Sequence, residues 1–206
     1  MGANFEVDGG FKGLVRESRS FRRFHEEMGL PQGYLEELVD VARSCPCGAN
    51  SQALRFKTVS GEEACSRVFP ELAWAGYLKG WAGPAAGERP AGYIVVCVER
   101  PANGAAAPAI RHTDAGIAAQ TILLAARSSE PSVGGCMIGA FKPQVAKASG
   151  IDPARYEVLL VIALGVPAET VVLEPLSASP DGSIKYWRDA EGVHHVPKRP
   201  LEDVLI

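Results

Sequence analysis

Apolar and polar positions recur along this chain with two periods. From Pro31 to Ser44 the apolar residues Tyr34, Leu35, Leu38, Val41 and Ala42 fall at spacings of three, four and seven, the period of one helix face. Pro31 suits a first turn, and Cys45-Pro46 stops the helix because a residue before proline is pushed out of the helical region. Further helices are expected over Phe11–Glu17, from a capping box at Ser60-Gly61-Glu62-Glu63 to about Phe69, and over Pro143–Ser149. The longest helical pattern is Thr113–Ser128, with His112 at its start in a possible capping role. Its Ala115, Ile117, Ala118, Ile122, Leu124, Ala125 and Ala126 cover most of the circumference. A helix apolar nearly all round lies in the middle of a core or in a subunit interface.

Strands are expected at Phe56–Ser60, Tyr93–Glu99, Cys136–Ile138 and Glu157–Gly165. The second and fourth are near-continuous apolar runs, as in strands covered on both faces. Ile184–Arg188 and Val193–Val196 flank Asp189-Ala190-Glu191-Gly192 and read as a hairpin, followed by an extended arm at Pro197-Lys198-Arg199-Pro200. Trp74–Pro90 is too apolar for a solvated loop and should pack on the rest. Glu99–Pro108, with three consecutive alanines, reads as a surface loop. The order of elements implies an α+β fold with a central mixed β-sheet wrapped by helices and an extended C-terminal arm.

A length of 206 residues predicts one domain over 1–206 with a core of its own. The 47% apolar and 22% charged shares exclude a disordered chain, and 22 glycines with 15 prolines predict many turns. A net charge of −3 argues against a nucleic-acid surface but leaves room for small-anion sites. No apolar run approaches the roughly 20 residues of a membrane span; the longest, Val158–Val166, is strand-sized. The first thirty residues carry Glu6, Asp8 and Glu17 and no apolar segment of a secretory signal. Met1-Gly2 is followed by Glu6 where myristoylation wants Ser or Thr. Five scattered cysteines (45, 47, 65, 97, 136) suggest free thiols in a reducing cytoplasm.

Four segments carry candidate chemistry. Arg19-Ser20-Phe21-Arg22-Arg23-Phe24 offers guanidinium forks and a hydroxyl suited to phosphate oxygens, or simply a solvated basic face. Pro46-Cys47-Gly48-Ala49-Asn50-Ser51-Gln52 combines small residues with two amides, which suits a flat heterocycle or an ordinary loop. Val133-Gly134-Gly135 before a short strand bares backbone N–H groups, or forms a tight turn. Lys198-Arg199 tips the C-terminal arm. Cys45-Pro46-Cys47 has no second pair, so no metal site is expected. His194 and His195 point to opposite faces of a strand and do not suit one metal. The chain lacks Walker A, G-x-S-x-G, H-E-x-x-H and dinucleotide G-x-G-x-x-G patterns.

Taken in order, these segments resemble the FMN-dependent nitroreductase family from about Phe11 to Arg199. The family's R-S-x-R-x-F opening is met by Arg19, Ser20, Arg22 and Phe24. Its P-S-x-x-N-x-Q loop is met by Pro46, Asn50 and Gln52, with Cys47 where Ser is usual. Its glycine turn is met by Val133, Gly134 and Gly135, its basic C-terminal residues by Lys198 and Arg199, and its central dimer helix by Asp114, Gly116 and Gln120. The resemblance implies a homodimer with FMN at the subunit interface. Arg19, Ser20, Arg22, Lys198 and Arg199 would hold the phosphate and ribityl chain. Pro46, Cys47, Gly48, Asn50 and Gln52 would line the isoalloxazine, with Val133, Gly134 and Gly135 on its other side and a backbone N–H there near flavin N5.

It further implies hydride transfer from NADH or NADPH through the flavin to a nitroaromatic, quinone or similar flat acceptor, in a ping-pong cycle without a protein acid, base or nucleophile. Other flavin chemistry on the scaffold, such as ene reduction or reductive dehalogenation, would call on Glu88 and Arg89 as a substrate lid. A non-enzymatic FMN-binding redox sensor would give Cys45 and Cys47 more weight. Departures from the family pattern at Cys47, Ala53 and Leu54 leave acceptor preference open.

Overall fold

Two of the strands are apolar at nearly every position, and the fold answers by covering their sheet on both sides. The computed structural model describes residues 6–103 and 106–206. In chain order the elements are α1 (Gly9–Glu17), α2 (Gln32–Arg43), β1 (Leu54–Ser60), α3 (Glu62–Val68), β2 (Gly92–Glu99), α4 (Ala109–Arg127), β3 (Gly134–Ile138), α5 (Val145–Ala148), β4 (Tyr156–Gly165), β5 (Val171–Pro175), β6 (Trp187–Arg188) and β7 (His194–Lys198).

The main sheet has the order β1-β2-β4-β3, with every neighbouring pair antiparallel. Along β2, Ile94, Val96 and Val98 point to one face, and Tyr93, Val95 and Cys97 to the other. The first face packs against α2 and α4 through Leu35, Leu38, Ala118 and Ile122. The second packs against α3, α5 and Trp74. Burial on both faces explains why β2 and β4 read as apolar runs rather than as alternating strands.

The α+β architecture therefore stands as the sequence implies. The central sheet itself is not mixed as expected, since its four strands pair antiparallel; parallel pairing enters at its edge and in a second sheet. Ser20 adds a parallel bridge to Gly135 at the β3 edge of the main sheet. A smaller sheet of order β5-β7-β6 pairs β5 with β7 in parallel and β6 with β7 antiparallel. The expected hairpin forms, with Trp187 opposite His195. Strand β5 was not expected; its Val171-Val172-Leu173 run is short and becomes a strand only through pairing with the C-terminal arm.

Three local expectations are corrected. The capping box does not form: Gly61, at φ 83°, is the N-cap of α3, and Ser60 stays in the sheet opposite Gly92 with its hydroxyl donating to Gln32 Oε1 at 3.2 Å. Helix α4 starts at Ala109 behind Pro108, so His112 lies exposed within its first turn and caps nothing. Gly134 and Gly135 are not a turn ahead of β3 but its first residues, paired with Gly165 and Leu164. The Met1-Gly2 signal reading, and residues 104–105 of the expected surface loop, lie outside the described residues. The Trp74–Pro90 segment does pack inward: Trp74 is buried, and Gly87 and Glu88 accept backbone hydrogen bonds from Glu26 and Phe24. All five cysteines are free, and burial pushes the thiols of Cys65 and Cys97 up to about 11. No helix among the described residues is long and apolar enough to cross a membrane.

His195 clips the smaller sheet together. Its Nδ1 lies 2.9 Å from Glu174 Oε1 and its Nε2 3.0 Å from Asp189 Oδ2, so each ring nitrogen faces a carboxylate oxygen, an arrangement that favours the protonated ring. It stacks on Trp187 at 4.9 Å. The hydrogen bond to Asp189 raises the His195 pKa. A base with a raised folded-state pKa contributes stability that is whole below the unfolded value near 6.5 and is lost as pH rises through the folded value. The melting-temperature advantage of wild type over His195→Gln is therefore expected to be largest at mildly acidic pH and to shrink as pH rises. Melting curves across a pH series test this, and a pH-independent difference would refute it.

Candidate functional site

The segment after α1 is extended and tied down from both sides. Phe21 and Phe24 turn inward and are buried, and the Phe21 N–H donates to Gly135 O at 3.0 Å. Glu169, whose side chain is 1% exposed, accepts from the backbone N–H groups of Arg22 and Arg23 and, at 2.9 Å, from Arg188 Nη2. With the two phenylalanines inside, Arg19, Ser20 and Arg22 face a cavity of about 260 Å³, shared with Lys198, Gln120 and Tyr186. Arg22 is only 8% exposed. Its Nη1 lies 3.3 Å from Ser20 O and 3.1 Å from His194 Nε2, and its guanidinium stands 4.7 Å over the Tyr186 ring. Burial, then the nearby Arg16, pushes the Arg19 pKa down. Among the described residues no carboxylate lines this cavity. Arg199 lies in an adjoining groove with Arg16, reached through the shared Lys198.

The loop at 46–52 lies elsewhere. Ala49, Asn50 and Gln52 adopt φ of 53°, 49° and 47°, a left-handed conformation costly for residues other than glycine. Clamps hold it there. Asp114, 3% exposed on α4, accepts from the Gly48 N–H at 2.8 Å and from Arg111 Nη1 at 3.1 Å, and Arg111 also reaches Ser51 Oγ. The Gln52 N–H points at Cys47 Sγ, 3.3 Å away. A Cβ on Gly48 would come within 2.7 Å of the Ile110 side chain, which would have to move to admit it. Pro46, Cys47 and Gln52 line a second cavity with Asp114 and Ala118; Asn50 is exposed at the loop's tip.

Gly134 and Gly135 lie beside the first cluster through the Ser20 bridge, and their lack of side chains serves packing. A Cβ on Gly134 would lie 2.4 Å from the Phe21 ring, and one on Gly135 2.6 Å from Ala163 O. Val133 is buried and faces a third, apolar cavity with Leu30, Tyr34 and Val166.

The structure thus unites Arg19, Ser20, Arg22 and Lys198, places Gly135 and Arg199 next to them, and holds the 46–52 loop apart. Both clusters rest on α4. The loop meets Asp114, Ala118 and, through Cys45, Thr121; the cationic cavity meets Gln120 and Leu123. At about 100° per residue these stripes lie nearly half a turn apart. Between them runs an exposed stripe containing Ile110, Thr113 and Ile117.

Sequence reasoning had no role for Glu169, Tyr186 or His194. The adjacent histidines were a signal, since strand alternation must bury one of them. Glu169 gave none, because a lone glutamate between strands looks solvated.

Fold and site together define a class: an α+β scaffold whose central helix carries a carboxylate-free cationic cavity on one side and a strained, clamped loop on the other. The family model described as the nitroreductase family matches residues 15–166, and the chain belongs to that family. Solved structures share the fold. One, from Desulfovibrio desulfuricans and assigned as a nitroreductase in complex with FMN, superposes with a TM-score of 0.64 at 20% identity over 97% of both chains. Another, from Exiguobacterium sibiricum and assigned likewise with FMN, gives 0.65 at 15% identity over 98% of both chains. A third, from Staphylococcus epidermidis and assigned as an NAD(P)H:FMN oxidoreductase, gives 0.67 at 15% identity, covering 98% of this chain and 97% of that one.

Proposed function

We propose that the protein is an FMN-dependent oxidoreductase that works as a homodimer. The observation that carries this reading is the cationic cavity of Arg19, Ser20, Arg22 and Lys198, free of carboxylates, in a nitroreductase-family fold. Its charge and donor geometry fit a phosphate dianion, which takes several N–H and O–H donors at once. The FMN-bound neighbours support the choice of cofactor.

The residues divide the work. Arg19, Ser20, Arg22 and Lys198 bind the phosphate end, and Arg199 adds positive charge from the adjoining groove. Pro46, Cys47, Gly48, Asn50 and Gln52 form a preformed rim for the ring end, since their strained backbone is already held by Asp114 and Arg111. Gly134 and Gly135 let the chain run close beside the phosphate loop. One chain presents its cavity and its rim on opposite sides of α4, so a second copy docked on the exposed Ile110–Ile117 stripe sets the rim of one subunit beside the cavity of the other.

FMN held there would supply the redox chemistry, with NADH or NADPH as hydride donor and a nitroaromatic, quinone or similar flat molecule as acceptor in a ping-pong sequence. The name of the Staphylococcus neighbour supports the nicotinamide donor. Glu88 pairs with Arg23 at 3.3 Å, and Arg89 lies over Phe69 with its backbone N–H on Glu26, so a substrate lid built from them would first exchange these contacts.

Under anaerobic conditions the purified yellow protein is expected to bleach on addition of NADH or NADPH and to sediment as a dimer at micromolar concentration. Bound flavin that stays oxidised with both nucleotides would favour a sensor. A colourless protein that refuses added FMN, or a monomer, would overturn the assignment.

A further inference from the structure

We propose that His194 positions Arg22 for the FMN phosphate, and so adds to the chain's preference for FMN over unphosphorylated riboflavin; the inference rests on the FMN reading above. His194 is 0% exposed, in the middle strand of the smaller sheet. Its backbone is fixed on both sides: it lies opposite Val171 of β5 and Arg188 of β6, and its N–H donates to Thr170 O at 2.9 Å. The ring is packed against Tyr186, with centroids 5.1 Å apart, and Tyr186 in turn carries Tyr77 at 5.0 Å. A ring so placed has little freedom of its own.

Its Nε2 lies 3.1 Å from Arg22 Nη1. Arginine has donors only, so the imidazole must accept, and its proton must sit on Nδ1. Nδ1 has no hydrogen-bond partner, so Nε2 makes the ring's only hydrogen bond among the described residues. The acceptor role requires a neutral ring. The groups facing it enforce that: burial first, then the positive charges of Arg22 and Arg188 and the neighbouring His195, push its pKa down to about 4. His194 Nε2 and Ser20 O both draw on Arg22 Nη1, while Tyr186 supports the guanidinium plane. Nη1 is thus committed to the protein, Arg22 also reaches the Cys136 thiol, and the guanidinium so held lines the cavity. A guanidinium without this anchor would give up ordering entropy each time it bound.

The test is titration of apo-protein with FMN and with riboflavin, followed by quenching of flavin fluorescence, for wild type, His194→Gln, His194→Asn and His194→Phe. The Gln amide oxygen reaches the place of Nε2; the shorter Asn does not, and Phe has no acceptor. Wild type should prefer FMN strongly. His194→Gln should keep that preference, while Asn and Phe should lose about tenfold in FMN affinity, the scale of one hydrogen bond to a charged group, with riboflavin binding unchanged. If Asn and Phe bind FMN as wild type does, while wild type still prefers FMN, the role of His194 is wrong and the FMN site stands. Equal losses for FMN and riboflavin would show a purely structural residue and overturn the proposal. If wild type binds FMN no better than riboflavin, the phosphate assignment of the cavity itself falls. Should Phe fail to fold, the Gln and Asn pair carries the comparison.

Discussion

Protein carrying Arg19→Ala together with Arg22→Ala is expected to purify without flavin and to remain colourless at FMN concentrations that saturate the wild type. Both guanidinium groups face the same cavity with Lys198, and no carboxylate competes for them there. Each charge-assisted hydrogen bond to a phosphate is worth about 1.5–3 kcal/mol. Losing both costs about 3–6 kcal/mol, or roughly two to four orders of magnitude in affinity. The two residues should not contribute alike. Arg19 is partly exposed and spends Nη2 on Val15 O, whereas Arg22 is buried and anchored, so Arg22→Ala alone should weaken binding more. Arg22 also packs on Tyr186, so the melting temperature must be followed in parallel. Arg19→Ala, which leaves that contact intact, gives the cleaner single test. Full flavin retention by a folded double variant would exclude this cavity as the phosphate site. Charged contacts of this kind weaken with ionic strength where they are exposed, so the Arg19 share of the loss should shrink in high salt more than the Arg22 share.

The fold was legible where a single physical demand governed a stretch of chain. Strands β2 and β4 are apolar because both faces of their sheet are covered, and that requirement is written in consecutive residues. Helix α2 shows its period because it has one buried face. Strand β5 was hidden because its pairing partner lies in the C-terminal arm, and three apolar residues do not reveal a distant partner. The capping box failed for a related reason: Ser60 obeys a local helix signal and a sheet register at once, and the register wins through its pairing with Gly92.

The site divides the same way. Arg19, Ser20, Arg22 and Lys198 could be named from motif order, and the fold does bring them together across nearly the whole chain. What motif order could not show is that the 46–52 loop sits on the far side of α4 from that cavity, because distance across a helix is a property of packing. The residues that hold the site were harder to read. Asp114, His194 and Glu169 each act by accepting hydrogen bonds from another functional segment; the paired histidines hinted that one of them is buried, but nothing along the chain names the partner of any of the three.

Of those three, Glu169 should matter most to folding. Glu169→Ala is expected to destabilise the protein by about 3–5 kcal/mol, the cost of breaking a buried ion pair by removing one partner. The carboxylate is 1% exposed and Arg188 13%, so the orphaned guanidinium could not recover its hydration without disrupting the small sheet. Arg188 would also stand without its counter-charge near Arg22 and His194, stacked on Trp81 at 4.9 Å. At the same time the backbone N–H groups of Arg22 and Arg23 would lose their acceptor. For a chain of this size the loss corresponds to a fall in melting temperature of roughly 6–20 °C. Glu169→Gln keeps an oxygen for the backbone donors but not the charge for Arg188, so it should fall between wild type and Ala. Because the same carboxylate fixes the loop that bears Arg19, Ser20 and Arg22, FMN affinity should decline in the same order as stability. Thermal melting and flavin titration of the two variants decide the matter: an Ala variant within about 0.5 kcal/mol of wild type, the range of an ordinary surface substitution, would mean that the clamp contributes little and that Phe21 and Phe24 alone hold the loop.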